Sequence, residues 1–122
     1  MKTHKDLAVW KDSISFVTDI YRITNKFPKE EQFGLTSQIR RSAVSIPSNI
    51  SEGAARRSGN EFKQFLYIAL GSGSELDTQL LISQNLNFIS TDEFNELTTK
   101  LYSISRMLQG LIKSIDKPVT NH

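Results

Sequence analysis

The sequence contains no cysteine, which excludes a fold held together by disulfide bonds. Histidine is nearly absent as well. Since His4 and His122 stand near the two ends, a catalytic triad, a histidine general base or a histidine-rich metal site has no component in the core. No segment approaches the roughly 20 consecutive apolar residues of a membrane-spanning helix, and the first residues lack the apolar run of a signal peptide. We therefore expect a cytoplasmic protein with no cofactor, no metal ion and no membrane contact.

Net charge is also low, because fifteen lysines and arginines stand against thirteen acidic residues and leave a formal charge of +2. A charge this small does not by itself indicate a nucleic-acid partner. Its distribution is more informative. Arg40 and Arg41 form one doublet, Arg56 and Arg57 form a second, and Glu52 is the single acid between them. The doublets are therefore the first candidates for a binding surface.

Length and hydrophobic pattern predict an all-α fold. With 122 residues and 38% hydrophobic content, the chain suits one domain, over residues 1–122, that buries a core without metal or disulfide help. Only residues 119–122 resemble a loose tail. No segment alternates apolar and polar residues with the period of two that a half-buried strand requires.

Four segments carry apolar residues at spacings of three and four, as amphipathic helices do. The first helix is expected from about Asp6 to Lys26 and ends at Phe27 and Pro28, because proline disfavours helical backbone in the residue before it. The predicted core positions are Leu7, Trp10, Ile14, Val17, Ile20, Tyr21 and Thr24 in the first helix, Leu35, Ile39, Ala43, Ile46, Ile50 and Ala54 in the second, Phe62, Phe65, Leu66, Ala69, Gly73, Leu76 and Leu80 in the third, and Phe94, Leu97, Leu101, Ile104, Leu108, Leu111 and Ile115 in the fourth.

Helix ends are marked by capping residues. Ser58 with Glu61, and Ser90 with Glu93, match the capping box that opens a helix, so they predict the starts of the third and fourth helices. The second helix begins near Gly34 or Thr36, the third reaches about Asn85, and Lys117 with Pro118 closes the fourth. The short connections predict an up-down, antiparallel four-helix bundle. Helices of about 21 to 26 residues make it elongated, roughly 30 to 40 Å long.

A second face of the middle helices is unusually rich in small and polar residues. Arg41, Ser45, Ser48 and Glu52 recur about half a turn from the apolar stripe of the second helix. Pro47 removes a helical hydrogen bond, so a kink is expected, either to wrap the helix around the core or to shape a wall for a neighbouring subunit. The third helix adds further candidates for a subunit interface or a buried polar network, namely Gly71, Ser72, Glu75 and Gln79. Glycine in a helix interior is unfavourable, so close packing is expected at Gly71 and Gly73.

Four sequence segments between Asp6 and Asn87 are distinctive, namely DLAVWKDS, FPKEEQFGL, SQIRRSAVSIPSNISEGAARRS and EFKQFLYIALGSGSELDTQL. Together they resemble a known family of bacterial four-helix bundles, encoded within intervening sequences of large-subunit ribosomal RNA genes. The fourth helix is similar only in pattern. The family also includes the accessory variability proteins of diversity-generating retroelements, which form five-membered rings, bind nucleic acid and associate with a reverse transcriptase. The resemblance therefore implies a pentamer with a basic surface, and nucleic acid and a reverse transcriptase as partners.

Two functions from different classes fit these features. The first is a non-enzymatic homo-oligomer that binds nucleic acid, with structured RNA as the expected ligand, through Arg40, Arg41, Arg56, Arg57 and Lys63. The alternative is an assembly scaffold whose arginines form salt bridges to Glu52 and Glu75. Cations at the end of the second helix are also favoured by the helix dipole without any ligand.

Catalysis finds little support in the sequence. Gly71, Ser72 and Gly73 lack the lysine and the spacing of a phosphate-binding loop. Glu52, Glu75 and Asp77 are the candidates for a metal-dependent nuclease, but no spacing distinguishes them from ordinary surface acids. We therefore expect no enzymatic activity.

Overall fold

The computed structural model describes residues 3–116, and within that range the chain forms four α-helices and no β-strand. The helices are α1 (Ala8–Thr24), α2 (Leu35–Ala54), α3 (Gly59–Asn85) and α4 (Thr91–Asp116). Short 3-10 turns at His4–Asp6 and Lys29–Glu31 precede α1 and α2. The all-α prediction is confirmed. The predicted helix stop at Lys117 and Pro118 and the tail 119–122 lie outside the described residues.

A complete capping box opens α4 as predicted, and at α3 one of its two bonds forms. At α4 the exchange is reciprocal, because the Glu93 backbone N–H donates to Ser90 Oγ at 3.1 Å and the Ser90 N–H donates to Glu93 Oε1 at 2.9 Å. At α3 the Glu61 N–H donates to Ser58 Oγ at 3.1 Å. Between the two helices Asn87 has a φ of 63°, a left-handed conformation that asparagine tolerates better than most residues. These local interactions fix where α3 ends and where α4 begins.

The core lies between all four helices, since each packs against its sequence neighbours and α1 also contacts α4. The stripes predicted for α2, α3 and α4 are largely confirmed. Their fully buried side chains include Ile39, Ala43, Ile46, Ile50, Leu66, Ala69, Leu76, Leu80, Leu97, Leu101, Ile104 and Leu108. The last turns of α4 differ slightly, because Ile112 is buried where Leu111 and Ile115 were expected, and these two are only partly buried.

The stripe predicted for α1 is wrong in part, because the helix is rotated about its axis relative to the expectation. Its buried residues are Val9, Ser13, Phe16, Ile20 and Thr24. Ile14 and Tyr21, both predicted to be in the core, are 41% exposed, and Trp10 is only half-buried against the core. The polar core positions are tolerated because each hydroxyl bonds within its own helix, Ser13 Oγ to Trp10 O at 2.9 Å and Thr24 Oγ1 to Ile20 O at 2.8 Å.

Side-chain contacts between neighbouring helices join residues whose numbers rise along one helix and fall along the other. Ser42 contacts Glu75 and Ser45 contacts Ser72 across α2 and α3. On the other side, Lys26 pairs with Glu93 and Lys100 pairs with Asp19. These contacts support the antiparallel, up-down order, which remains a prediction, as does the kink at the buried Pro47 inside α2.

Close approach of α2 and α3 occurs at Gly53, a residue that the sequence analysis did not single out. A Cβ atom there would lie 2.7 Å from Phe65 Cβ and 2.9 Å from Phe62 Cδ1, closer than real side chains come. The buried Gly73 is different, because a Cβ would make an ordinary contact at 3.5 Å with Leu101 Cδ1. Glycine is therefore required by packing at Gly53 and not at Gly73.

Candidate nucleic-acid interface

The first arginine doublet is divided between two roles. Arg40 is half-buried and donates from Nε to Thr24 Oγ1 at 2.8 Å and from Nη2 to Asn25 Oδ1 at 3.1 Å. Its guanidinium carbon also lies 4.5 Å from the centre of the Tyr21 ring. Arg41 is exposed, and its side chain has no hydrogen bond or ion pair within residues 3–116. Arg40 thus fastens the start of α2 to the end of α1, while Arg41 remains available.

The second doublet lies at the turn between α2 and α3. The Arg56 guanidinium is 3.8 Å from Glu52 Oε1, and its carbon is 4.9 Å from the centre of the Phe65 ring. Both partners of this ion pair are well exposed, so it stabilises the fold little. Arg57 is exposed and has no partner for its side chain in the described part of the chain. This turn therefore presents one free arginine beside one that is weakly held.

Two lysines, Lys63 and Lys26, form ion pairs within the described residues. Lys63, a predicted nucleic-acid contact, forms an ion pair with Asp116 at the end of α4. Lys26 pairs with Glu93, and this hydrogen bond is the main cause that lowers the pKa of the Glu93 carboxyl. Of the predicted nucleic-acid residues, Arg41 and Arg57 are the two whose side chains have no partner within residues 3–116.

A polar network follows the seam between α2 and α3, close to the predicted interface residues. The Ser45 and Ser72 hydroxyls are 2.8 Å apart, and Asn49 Nδ2 donates to Ser45 Oγ at 2.9 Å. Ser42 Oγ donates to Glu75 Oε1 at 2.6 Å. The sequence analysis missed Ser42 and Asn49, although both stand three or four residues from Ser45 on the same flank of α2.

The remaining interface candidates have varied surroundings. Gln79 is 7% exposed, and its Oε1 has no hydrogen-bond partner in the described residues. Pro47 and Ser48 line a groove of about 330 Å³ between α1 and α2, together with Trp10 and Val44. Gly71 is exposed, and a Cβ atom there would meet nothing within 4 Å. These positions therefore do not form one continuous site within a single chain.

The three candidate carboxylates have separate partners. Glu52 is paired with Arg56, and Glu75 accepts from Ser42. Asp77 accepts a hydrogen bond from the Tyr102 hydroxyl at 3.1 Å, which raises the pKa of Tyr102. Among residues 3–116, no three histidine or acidic side chains are grouped so that they could hold a metal ion. The helices of this part of the chain are also too short or too polar to cross a membrane.

Exposed glycines provide a test of the predicted subunit interface, because Gly71 and Gly110 both lie in helices with open space around them. Replacing either with alanine should raise the stability of one protomer by about 1 kcal/mol, since alanine is the better helix former. If Gly71 lies between subunits, Gly71→Ala should in addition reduce oligomer mass, and Gly110→Ala should not. Urea melts and light scattering measure the two effects. Equal behaviour of the two variants in both measurements would remove Gly71 from the interface.

Comparisons with known proteins agree with this fold. A family model described as "23S rRNA-intervening sequence protein" matches residues 5–110. The chain is also similar to a crystal structure from Bacteroides thetaiotaomicron VPI-5482, described as a protein with unknown function from the S23 ribosomal protein family. The TM-score is 0.78 at 26% sequence identity, and the match covers 87% of this chain and 99% of that chain. Among curated proteins, none matches the sequence.

Proposed function

The chain belongs to the family of 23S rRNA-intervening sequence proteins, and from this premise we propose that it is a non-enzymatic, homo-oligomeric bundle that binds nucleic acid, with structured RNA as the ligand. The observation that carries the proposal is the turn between α2 and α3, where Arg57 is exposed and has no partner among the described residues. Arg56 beside it is held by an exposed ion pair with Glu52 and by its contact with the Phe65 ring. Guanidinium groups at such a position can contact phosphate without first breaking the fold.

Assembly would increase the electrostatic attraction between these arginines and nucleic acid. Five copies of a chain with net charge +2, the number that the sequence resemblance implies, would carry about +10. Rotational symmetry would repeat each turn between α2 and α3 around one axis, so that a single RNA could contact several of them. The proposal places the protein in the cytoplasm, and a partner enzyme such as a reverse transcriptase would act on the RNA held there.

Charge reversal at the second doublet tests the proposal. We expect Arg56→Glu with Arg57→Glu to weaken RNA binding by roughly tenfold or more and to flatten the dependence of log affinity on log salt by about 0.7 to 0.9 for each lost phosphate contact. The oligomer mass and the melting curve should stay nearly unchanged, because neither guanidinium is buried. Electrophoretic shifts across a salt series, with light scattering on the same samples, measure both.

The matched control is Lys11→Glu with Lys29→Glu, which alters net charge equally at two exposed lysines whose side chains have no partner among the described residues. The control should reduce the affinity for RNA far less, because it changes the net charge of the protein without removing a proposed phosphate contact. Equal losses in the two double variants would show that the doublet is not a specific contact surface.

A second candidate function, an assembly scaffold with no nucleic-acid ligand, is favoured by the intramolecular use of three of the cations. Arg40 is bonded to α1, Arg56 contacts Glu52, and Lys63 contacts Asp116. Under this alternative the wild-type protein binds no RNA or DNA at physiological salt, and the doublet variant changes oligomer mass instead. A mass of one 13.8 kDa chain at micromolar concentration would contradict assembly in both proposals.

A further inference from the structure

One side of α3 and one side of α4 form a continuous surface, bounded by a side-chain contact at each end. Lys63 pairs with Asp116 at one end, and Tyr102 donates to Asp77 at the other. The residues that share these sides recur at spacings of four and three, namely Lys63, Tyr67, Leu70, Ser74 and Asp77 on α3, and Tyr102, Arg106, Gln109, Lys113 and Asp116 on α4. Since such spacings keep residues on one side of a helix, those between the two contacts face the same way.

We call this surface the α3–α4 face and define it by its exposed residues, which are Tyr67, Ser74, Tyr102, Arg106, Gln109 and Lys113. Leu70, on the same side of α3, is partly buried and packs against the core. Charge on this face has one sign. Neither residues 62–74 of α3 nor residues 97–115 of α4 include an aspartate or glutamate.

Two cations of the face are uncompensated. Arg106 and Lys113 are exposed, and their side chains have no hydrogen bond or ion pair within residues 3–116. The two acids that bound the face, Asp116 and Asp77, contact Lys63 and the Tyr102 hydroxyl. The two cations are seven positions apart, which corresponds to about 10 Å along the helix.

Aromatic side chains accompany these cations. Tyr67 is 57% exposed and Tyr102 is 48% exposed, and the Tyr67 hydroxyl has no partner in the described residues. An exposed aromatic ring next to unpaired cations is the combination that single-stranded nucleic acid uses, because bases stack on the ring while phosphates contact the cations. Duplexes hide their bases and cannot use the ring in this way.

We propose that the α3–α4 face binds single-stranded nucleic acid, with Arg106 and Lys113 contacting phosphates and Tyr67 stacking on a base. The inference rests on the proposed function and deepens it, because it assigns unpaired nucleotides of the ligand to a surface separate from the arginine doublets. A structured RNA would then be held at its duplex parts by one surface and at a loop or an end by the other.

The test uses the full-length protein and a fluorescently labelled oligouridine of about 20 nucleotides, long enough to cross the face, with anisotropy measured across a salt series. Tyr67→Ala should weaken binding by roughly tenfold, whereas Tyr67→Trp should retain it, because tryptophan also stacks. Arg106→Gln with Lys113→Gln should flatten the salt dependence by about 1.4, the value for two contacts to a single strand. Lys11→Gln with Lys29→Gln provides the charge-matched control and should leave the slope unchanged.

The outcomes separate the two proposals. If the wild-type protein binds oligouridine but the Tyr67 and Arg106 with Lys113 variants behave like the control, the inference about the α3–α4 face is wrong and the proposed function stands. Preference for duplex RNA with no effect of Tyr67→Ala would contradict the inference in the same way. Absence of binding to single-stranded and duplex probes alike would overturn both. Circular dichroism and light scattering on each variant verify that fold and oligomer mass are unchanged.

Discussion

Replacing Leu101 or Leu108 with alanine should lower the free energy of unfolding by about 2 to 5 kcal/mol, the range measured for truncating buried leucines. Both side chains are fully buried in the middle of α4, which packs against α1 and α3. The cost has two parts, because apolar area is lost from the core and the surrounding helices cannot close the cavity completely. Urea melts followed by circular dichroism measure the change.

The neighbouring Gln109 supplies the control for this prediction. It is exposed, and its side chain has no partner within the described residues, so Gln109→Ala should change stability by less than about 0.5 kcal/mol. If Leu101→Ala and Leu108→Ala both cost less than about 1 kcal/mol, the stripe of α4 does not face the core and the bundle is incorrect.

Adding one methyl group at Gly53 should destabilise the protein by about 1 to 3 kcal/mol, as overpacking of a tight contact does. The reason is geometric: the new Cβ would lie 2.7 Å from Phe65 Cβ. An atom bonded directly to the backbone cannot be moved by choosing another rotamer. Helices α2 and α3 would therefore have to separate locally, and the polar contacts along their seam would lengthen.

Thermal and urea melts of Gly53→Ala, compared with Gly110→Ala, test this directly. Gly110 lies in α4 with nothing within 4 Å of the added methyl, so the same substitution should be stabilising there. We expect Gly53→Ala to lower the free energy of unfolding and Gly110→Ala to raise it. A stabilising Gly53→Ala would show that α2 and α3 are farther apart at this level than the structure has them.

Periodicity alone was enough to predict most of α2, α3 and α4, because most residues on their buried sides are apolar. It failed in part in α1, where Ser13 faces the core beside Val9 and Phe16, none of which was predicted to do so. Sequence patterns count a hydroxyl as polar, yet in a helix the hydroxyl can bond to a carbonyl of its own preceding turn and enter the core without a partner elsewhere. Because Ser13 was counted as polar, the predicted stripe was placed on the side of Ile14 and Tyr21, which are exposed.

The candidate site was predicted less completely, for two physical reasons. Adjacent residues point about 100° apart on a helix, so Arg40 and Arg41 have different surroundings although the sequence presents them as a pair. Pairing of Lys63 with Asp116 depends on where α4 ends relative to α3, and no local pattern encodes that register. The doublet Arg56 and Arg57 was easier, because a helix end at a short turn leaves long side chains exposed.

Glu93 links the end of α1 to the start of α4. One of its carboxylate oxygens accepts from the first backbone N–H of the α4 cap, and the other contacts Lys26 just beyond α1. A local capping interaction and a contact between distant parts of the sequence therefore share one side chain. Fraying at the start of α4 therefore weakens the contact that holds the end of α1, so opening of either segment favours opening of the other.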